Sequence, residues 1–202
     1  MTSLLYRNAR LYALAMRLLY RGALDERNRA LAEHIEAGSR VVDLCCGPPL
    51  LFTSQLERKH VRYLGVDHNP AFLAAIQKSG AEALSLDLRD APRLPRGDYV
   101  IMQGSLYHFL PDPAPIVERM LEAAGRTVIL SEPIRNLSQS RLPGVAVLAA
   151  LATNAGYGAQ PNRFDEVALD RFFEAFSERI VESSLVARGR EKLYVLQGGV
   201  AP

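Results

Sequence analysis

Hydrophobic residues follow two different periods along the chain. Up to about residue 37 they recur at helical spacing, which predicts an N-terminal amphipathic helix with its arginines on the opposite side and a second helix over about residues 26–36. Asp25 is expected to cap this second helix and Gly38 to end it. From residue 40 onward, short apolar runs of strand length alternate with helical stretches.

The alternating part predicts five strands joined by helices. The strands are expected at residues 40–44, 61–66, 83–86, 99–102 and 127–130. The helices are expected up to about Lys59, from Pro70 with Asn69 as its cap to about Gly80, and from Pro113 to about Gly125. Strands separated in this way predict right-handed crossovers and a mostly parallel sheet.

The C-terminal part follows a different pattern. Residues 141–163 contain Gly, Pro and Ala and predict no definite element. Asp165 is expected to cap a helix to about Phe176, and two β-like runs at residues 179–187 and 192–197 predict an antiparallel pair. Because there is no internal repeat and no long linker, we expect one domain over residues 1–202, with a helical cap at 1–37 and the core at 38–202.

The composition is typical of a folded domain of this size. The 202 residues are 49% hydrophobic and 23% charged, which excludes disordered and fibrous proteins. The chain has 24 basic and 22 acidic residues, and its net charge of +2 does not indicate nucleic-acid binding. The longest apolar segment, at residues 142–152, is too short to span a bilayer, and the N-terminus lacks the features of a secretory signal.

The two cysteines, Cys45 and Cys46, are adjacent in the chain. They cannot form an ordinary disulfide framework or supply a four-ligand zinc site, so we predict no metal centre. This pattern favours a reducing, cytoplasmic setting. The simplest interpretation of both cysteines is that they are small buried apolar residues.

An acidic residue ends each of the first three predicted strands: Asp43, Asp67 and Asp87. Parallel sheets bind ligands beyond the carboxyl ends of their strands, and an acid after the second strand commonly binds the hydroxyls of a ribose. The loop after the first strand has one glycine, Gly47, followed by two prolines that donate no hydrogen bond. Such a loop is a poor cradle for a pyrophosphate but accommodates a ligand without phosphates.

Several segments around these acids resemble the motifs of class I S-adenosylmethionine-dependent methyltransferases. VVDLCCGPP resembles their first motif, an acid followed by G-x-G-x-G, in a variant similar to quinone-biosynthesis and other small-molecule methyltransferases. YLGVDHNPAFL, SLDLRD and DYVIMQGSLYHFLPDP resemble the second, third and fourth motifs, and VILSEP the strand that follows. The start, YRNARLYALAMRLLY, is similar to the helix that covers the cofactor in this group. Each motif is weak alone, but four in order at the right spacing are specific.

This resemblance implies a fold and a cofactor. The fold is a Rossmann-like three-layer sandwich with a seven-stranded, mostly parallel sheet whose last strand is antiparallel, covered by an N-terminal helical lid. The cofactor is S-adenosylmethionine, and Pro49, at the third glycine position, would crowd the space near it. The residues that match the family's cofactor contacts are Tyr12, Asp43, Cys45, Gly47, Asp67, His68, Asp87, Leu88 and Gln103.

The resemblance also implies an in-line transfer of a methyl group to a small, partly apolar organic acceptor. The protein must then place the acceptor against the methyl group and exclude water. His108 is the best available general base, and Tyr107 is expected to orient the acceptor. A nucleic-acid acceptor is disfavoured, because there is no basic patch and no Asn/Asp-Pro-Pro-Tyr motif after the fourth strand.

Other interpretations stay open at this point. The chain could be a non-catalytic S-adenosylmethionine-binding or regulatory protein of the same fold, or a nucleotide-dependent oxidoreductase, which its single loop glycine disfavours. Asp67 could be the N-cap of the helix at Pro70, and His108 a packing residue of the wall. The basic N-terminal helix suits either a lid, which we favour, or contact with an anionic membrane surface. The sequence carries no signal for an oligomeric state.

Overall fold

A computed structural model of the protein describes residues 7–135 and 163–199. Its strands are β1 (Arg40–Leu44), β2 (Arg62–Asp67), β3 (Glu82–Ser85), β4 (Gly97–Gln103), β5 (Ala124–Pro133), β6 (Ile180–Val186) and β7 (Glu191–Gln197). They form one seven-stranded sheet in the order β3-β2-β1-β4-β5-β7-β6. The pairs from β3 to β5 are parallel, and β7 is antiparallel to both of its neighbours. The predicted Rossmann-like sheet with an antiparallel last strand is confirmed.

The central strands form because their residues are apolar on both faces. Val41, Val42 and Leu44 of β1 are fully buried, as parallel strands covered by helices on both sides require. The predicted bounds of β1 are confirmed at both ends. β5 is longer than the predicted 127–130, because its ladders with β4 and β7 extend over polar residues that carry no apolar signal.

The described helices are α1 (Ala9–Tyr20), α2 (Ala23–Glu33), α3 (Pro70–Lys78), α4 (Ala114–Ala123) and α5 (Glu166–Phe173). Between β1 and β2 lie a π-helical turn, Phe52–Leu56, and a 3-10 turn, Glu57–Lys59. Two predicted caps are confirmed: Asn69 Oδ1 accepts the N–H of Ala71 at 2.9 Å, and Asp165 Oδ1 that of Ala168 at 2.7 Å.

The predicted start of α2 is wrong. Gly22, at φ +84°, occupies the N-cap, so the helix begins before Asp25, which lies in its first turn. A glycine reaches this left-handed conformation without steric cost, and it allows the chain to turn sharply from α1 into α2. In the first turn the negative charge of Asp25 still interacts favourably with the helix dipole.

Helix α1 packs on the body of the protein through one face. Its Leu19 and Tyr20 are buried in a cluster with Leu24 of α2 and with Ala187, while Tyr12 packs against Phe72 of α3 with ring centroids 5.1 Å apart. Other apolar side chains of α1 are exposed, among them Leu11 and Leu18, which the helical periodicity places with the apolar residues, and Leu14.

No helix within residues 7–135 and 163–199 is long and apolar enough to cross a membrane. The apolar segment at residues 142–152 lies outside the described part of the chain, as does nearly all of the unassigned stretch at residues 141–163.

Candidate functional site

A cavity of about 210 Å³ opens at the carboxyl ends of the parallel strands, beneath α1. This is the place at which a sheet of this topology binds its ligands. All predicted site residues except Asp43 contribute to its wall. Those that line it are Tyr12, Cys45, Gly47, Asp67, His68, Asp87, Leu88, Gln103, Tyr107 and His108.

The loop after β1 contains two residues in the left-handed conformation. Cys45 has φ +51° and Gly47 has φ +61°, both in the left-handed region. Cys45 therefore bears a steric cost that the glycine at this position of the family motif avoids. Pro48 lines the cavity and Pro49 does not, so the expected crowding by the Pro49 ring is not observed.

Asp67 ties the β1 loop to the end of β2. Its Oδ2 accepts the N–H of Gly47 at 3.0 Å, and its Oδ1 accepts the N–H of Asn69 at 2.8 Å. Because each carboxylate oxygen can accept more than one hydrogen bond, both still have capacity for a ligand hydroxyl. Burial raises the pKa of Asp67, and the two backbone N–H groups act against this shift. Asn69 rather than Asp67 caps α3, so the alternative interpretation of Asp67 as the cap is wrong.

Asp43 lies behind the wall, with only 1% of its surface exposed. Its Oδ2 accepts the hydroxyl of Tyr63 at 2.8 Å and the Nε2 of Gln103 at 3.3 Å. Within the described residues, Asp43 Oδ1 and Gln103 Oε1 are buried acceptors without a hydrogen-bond donor. Such acceptors are costly unless a ligand satisfies them. The α-ammonium group of S-adenosylmethionine is a donor of the required kind, so the residues present fit this cofactor.

The ionisation of Asp43 makes a pH dependence testable. Burial raises the pKa of Asp43 to about 7, so in the folded protein its charge is lost as the pH falls through that value. We expect S-adenosylmethionine to bind more tightly as the pH rises through about 7, and Asp43→Asn to remove that part of the dependence. Isothermal titration calorimetry from pH 6 to pH 8 measures it, with the exposed Asp112→Asn as the control. Equal slopes for the parent and Asp43→Asn would contradict the assignment.

Residues at the carboxyl ends of β2 and β3 form another part of the cavity wall. Leu88 is buried at 4% exposure, and Asp87 Oδ1 accepts the N–H of Arg89 at 3.0 Å, which fixes the turn that carries both. His68 stands beside Asp67, with its Nδ1 3.8 Å from Asp67 Oδ1. An apolar side chain and an acid at this position suit the face and the amino edge of an adenine.

The turn after β4 forms the other end of the cavity. Leu106–Phe109 is a 3-10 turn, in which Tyr107 is buried and its ring centroid lies 3.9 Å from that of His108. Arg163 covers the Tyr107 ring, with its Cζ 3.3 Å from the ring centroid. Burial raises the pKa of Tyr107, while burial and the nearby arginines lower the pKa of His108 to about 4. At neutral pH the phenol is therefore protonated and the imidazole is neutral.

Glu132 supports this turn and was not predicted from the sequence. It is 2% exposed at the end of β5, and its Oε2 accepts the N–H of Leu106 at 2.9 Å. Burial raises its pKa to about 8. The sequence could have indicated a role for Glu132, because it lies near the end of the apolar VILSEP segment and a buried acid needs a polar partner.

The two N-terminal helices close the cavity from above. Tyr12, Met16 and Leu19 of α1 and Arg27 of α2 line it. Arg27 Nη1 donates to Glu191 Oε1 of β7 at 3.3 Å, which ties the helices to the sheet. Sequence reasoning missed this pair, because a cation and an acid 164 residues apart carry no local signal.

Comparison with solved structures shows which proteins share this fold. A TehB-like methyltransferase of Corynebacterium glutamicum is 15% identical, with a TM-score of 0.62 over 95% of this chain and 98% of its own. Magnesium protoporphyrin IX methyltransferase of Synechocystis, solved with bound SAH, is 12% identical, with a TM-score of 0.60 over 91% of this chain and 87% of its own. At such identities the likeness is one of fold. The sheet order, the strand-end acids and the helices over the cavity are those of the class I S-adenosylmethionine-dependent methyltransferase fold, for which S-adenosylmethionine is the expected cofactor.

Sequence comparison places the chain more narrowly. A family model described as "Methionine biosynthesis protein MetW" matches residues 26–142, and the chain belongs to this family. The trans-aconitate 2-methyltransferases of Mycobacterium tuberculosis and Mycobacterium bovis are each 30% identical over 148 residues, which cover 69% of this chain and 54% of theirs. The chain thus spans about half the length of these curated relatives. Among the described residues, no cluster of His, Cys, Asp and Glu is suited to hold a metal ion.

Proposed function

We propose that this protein transfers the methyl group of S-adenosylmethionine to a small, partly apolar organic acceptor. One observation carries the proposal: a single cavity joins Asp67, Asp87 and Gln103 to the turn that bears Tyr107 and His108. A cofactor and an acceptor bound at these two ends would meet inside one enclosed space. The mycobacterial relatives named for trans-aconitate support an acceptor that is a small molecule.

The residues of the cofactor end would hold the ligand in a fixed position. Asp67 would accept hydrogen bonds from the ribose hydroxyls, Asp87 and the Leu88 backbone would contact the adenine edge, and Asp43 with Gln103 would receive the ammonium group. When bound, the cofactor supplies a methyl group on a sulfonium, which is already activated toward nucleophiles. Positioning and exclusion of water are then the main contributions of the protein.

The acceptor end would be formed by Tyr107 and His108 under the apolar side chains of α1. The protonated Tyr107 hydroxyl is suited to donate a hydrogen bond that orients the acceptor. The imidazole of His108 is neutral but only weakly basic, since its pKa is lowered to about 4, so it would act as a general base only for an acceptor that loses its proton readily. Met16, Leu19 and Phe109 line the same cavity, which supports an acceptor with an apolar part.

Ligand-dependent melting followed by a transfer assay tests the proposal. We expect S-adenosylmethionine and its demethylated product to raise the melting temperature, and NAD to leave it unchanged, since a ligand stabilises only the protein that binds it. A rise with NAD alone would overturn the assignment. Tritium-labelled S-adenosylmethionine with a low-molecular-weight cell extract should then yield labelled small molecules. Binding without any transfer would favour a non-catalytic cofactor-binding protein instead.

A further inference from the structure

We propose that the acceptor is a carboxylic acid bound as its anion, and that one of its carboxylate oxygens takes the methyl group. The inference rests on the proposed methyl transfer and specifies its substrate class. It starts from the distribution of charge around the cavity, which differs between the two ends.

Three of the arginines that line the cavity lie at the end opposite its acids, whereas Arg27 is paired with Glu191 and Arg89 lies next to Asp87. Asp67 and Asp87 line the cavity at β2 and β3. Beyond β4 and β5 the wall is arginine: Arg135 follows β5, Arg190 precedes β7, and Arg163 lies on Tyr107. Arg135 and Arg190 are adjacent, since the N–H of Arg135 donates to the carbonyl of Arg190 at 3.3 Å. The acceptor end is therefore electropositive.

This charge is not neutralised inside the described part of the chain. Within residues 7–135 and 163–199, no carboxylate lies within ion-pair distance of the Arg135, Arg163 or Arg190 guanidinium. The nearby acids have other hydrogen-bond partners: Glu191 accepts from Arg27 and Ser131, and Glu132, although the charge of Arg163 acts to lower its pKa, accepts from the Leu106 N–H.

An anion is the ligand that best matches this wall. Cations around a cleft with low-dielectric walls attract anions, and the planar guanidinium fork matches the two oxygens of a carboxylate. Arg190 Nη1 also donates to the Leu19 carbonyl at 3.0 Å, which holds its guanidinium in place under α1. The carboxylate of the cofactor's own methionine group can pair with Arg190, and this leaves Arg135 and Arg163 for a second anionic ligand.

The chemistry of the Tyr107 turn agrees with such an acceptor. A phenol or amine acceptor must lose a proton, and the turn offers only a protonated tyrosine and a weakly basic imidazole for this purpose. A carboxylic acid is already ionised at neutral pH, because its pKa lies near 4. Its oxygen forms a bond to the methyl carbon as the carbon–sulfur bond breaks. The bonding pair goes to sulfur, the sulfonium becomes a neutral thioether, the carboxylate becomes a methyl ester, and no proton is released.

The chemistry of the labelled product tests the inference separately from the proposed function. The probes are a low-molecular-weight cell extract and a defined panel of di- and tricarboxylic acids, each incubated with the full chain and methyl-tritiated S-adenosylmethionine. Methyl esters release volatile labelled methanol in mild alkali, whereas ethers and methylamines do not. We expect alkali-labile label. Alkali-stable label would overturn the carboxylate acceptor but leave methyl transfer standing, and no transferred label would remove both.

Two arginine variants test whether the arginines of the cavity wall bind the carboxylate acceptor. Arg163→Gln and Arg135→Gln should each raise the KM for the carboxylate at least about tenfold, because each removes a charge-assisted hydrogen bond. The affinity for S-adenosylmethionine, measured by calorimetry, should equal that of the parent protein within error. This result would show that each variant is folded. Arg171→Gln removes the same charge from the exposed side of α5 and should change neither value. An unchanged KM in both wall variants would overturn the inference.

Discussion

Replacing Asp67 by Ala is expected to abolish the rise in melting temperature that S-adenosylmethionine produces. The change removes the acceptor for the ribose hydroxyls and also the anchor of the Gly47 N–H, which holds the β1 loop. Hydrogen bonds to a charged group contribute about 1.5–3 kcal/mol each, so losing two should weaken binding by at least about a hundredfold. Differential scanning fluorimetry over a range of ligand concentrations measures this effect.

The conservative change Asp67→Asn is expected to weaken S-adenosylmethionine binding nearly as much. This result would show that the hydrogen bonds of both carboxylate oxygens are required, and not the negative charge alone. Both carboxylate oxygens accept backbone N–H groups, one from Gly47 and one from Asn69. An asparagine must point its own NH2 group at one of these donors, so the loop loses a hydrogen bond and gains a repulsion. Asp112→Ala removes an exposed acid and should leave the ligand-induced shift unchanged. A normal shift in Asp67→Ala would mean that the ribose site lies elsewhere.

The parts of the site that the sequence predicted are those governed by local rules. An acid that ends or closely follows a parallel strand must lie at the carboxyl edge of the sheet, and Asp67 and Asp87 line the cavity for that reason. Asp43 follows the same rule but is 1% exposed, because Tyr63 and Gln103 cover its carboxylate. The position of a residue along a strand is local, whereas the side chain that covers it depends on the packing of neighbouring strands.

The parts that the sequence did not predict depend on contacts between distant segments. The arginine wall brings together the loop after β5, the segment before α5 and the loop before β7. No local pattern marks any of these arginines in the sequence. The net charge of the chain is near zero, so it does not indicate that they lie together in the structure either. Glu132 likewise acquires its role only when the turn after β4 reaches the end of β5. Sheet order can be predicted from motif order, but such side-chain clusters require the three-dimensional structure.

Replacing Arg27 by Met is expected to destabilise the protein by about 3–5 kcal/mol, since it leaves a buried carboxylate without its cation. Glu191 is fully buried, and its oxygens accept from Arg27 Nη1 at 3.3 Å and from the Ser131 hydroxyl at 2.6 Å. Although burial lowers the pKa of Arg27, the charge of Glu191 raises it, and the net pKa lies above its ordinary value. Arg27 is therefore charged, and its hydrogen bond to Glu191 fastens α2 to β7 above the cavity.

A double variant distinguishes this ion pair from a general loss of packing. In Arg27→Met with Glu191→Gln, the amide still accepts from Ser131 but buries no charge, so we expect most of the lost free energy of unfolding to return. Urea denaturation of both variants gives that difference. The exposed pair formed by Arg126 and Glu36 supplies the control, because Arg126→Met removes a cation whose partner stays in water and should leave stability nearly unchanged. If the double variant is as unstable as Arg27→Met, the loss comes from the packing of the arginine stem and not from the stranded charge. If the double variant regains most of the free energy of unfolding, the stranded charge caused the loss. The helices that close the cavity are then attached to the sheet by an ion pair whose arginine lines that cavity.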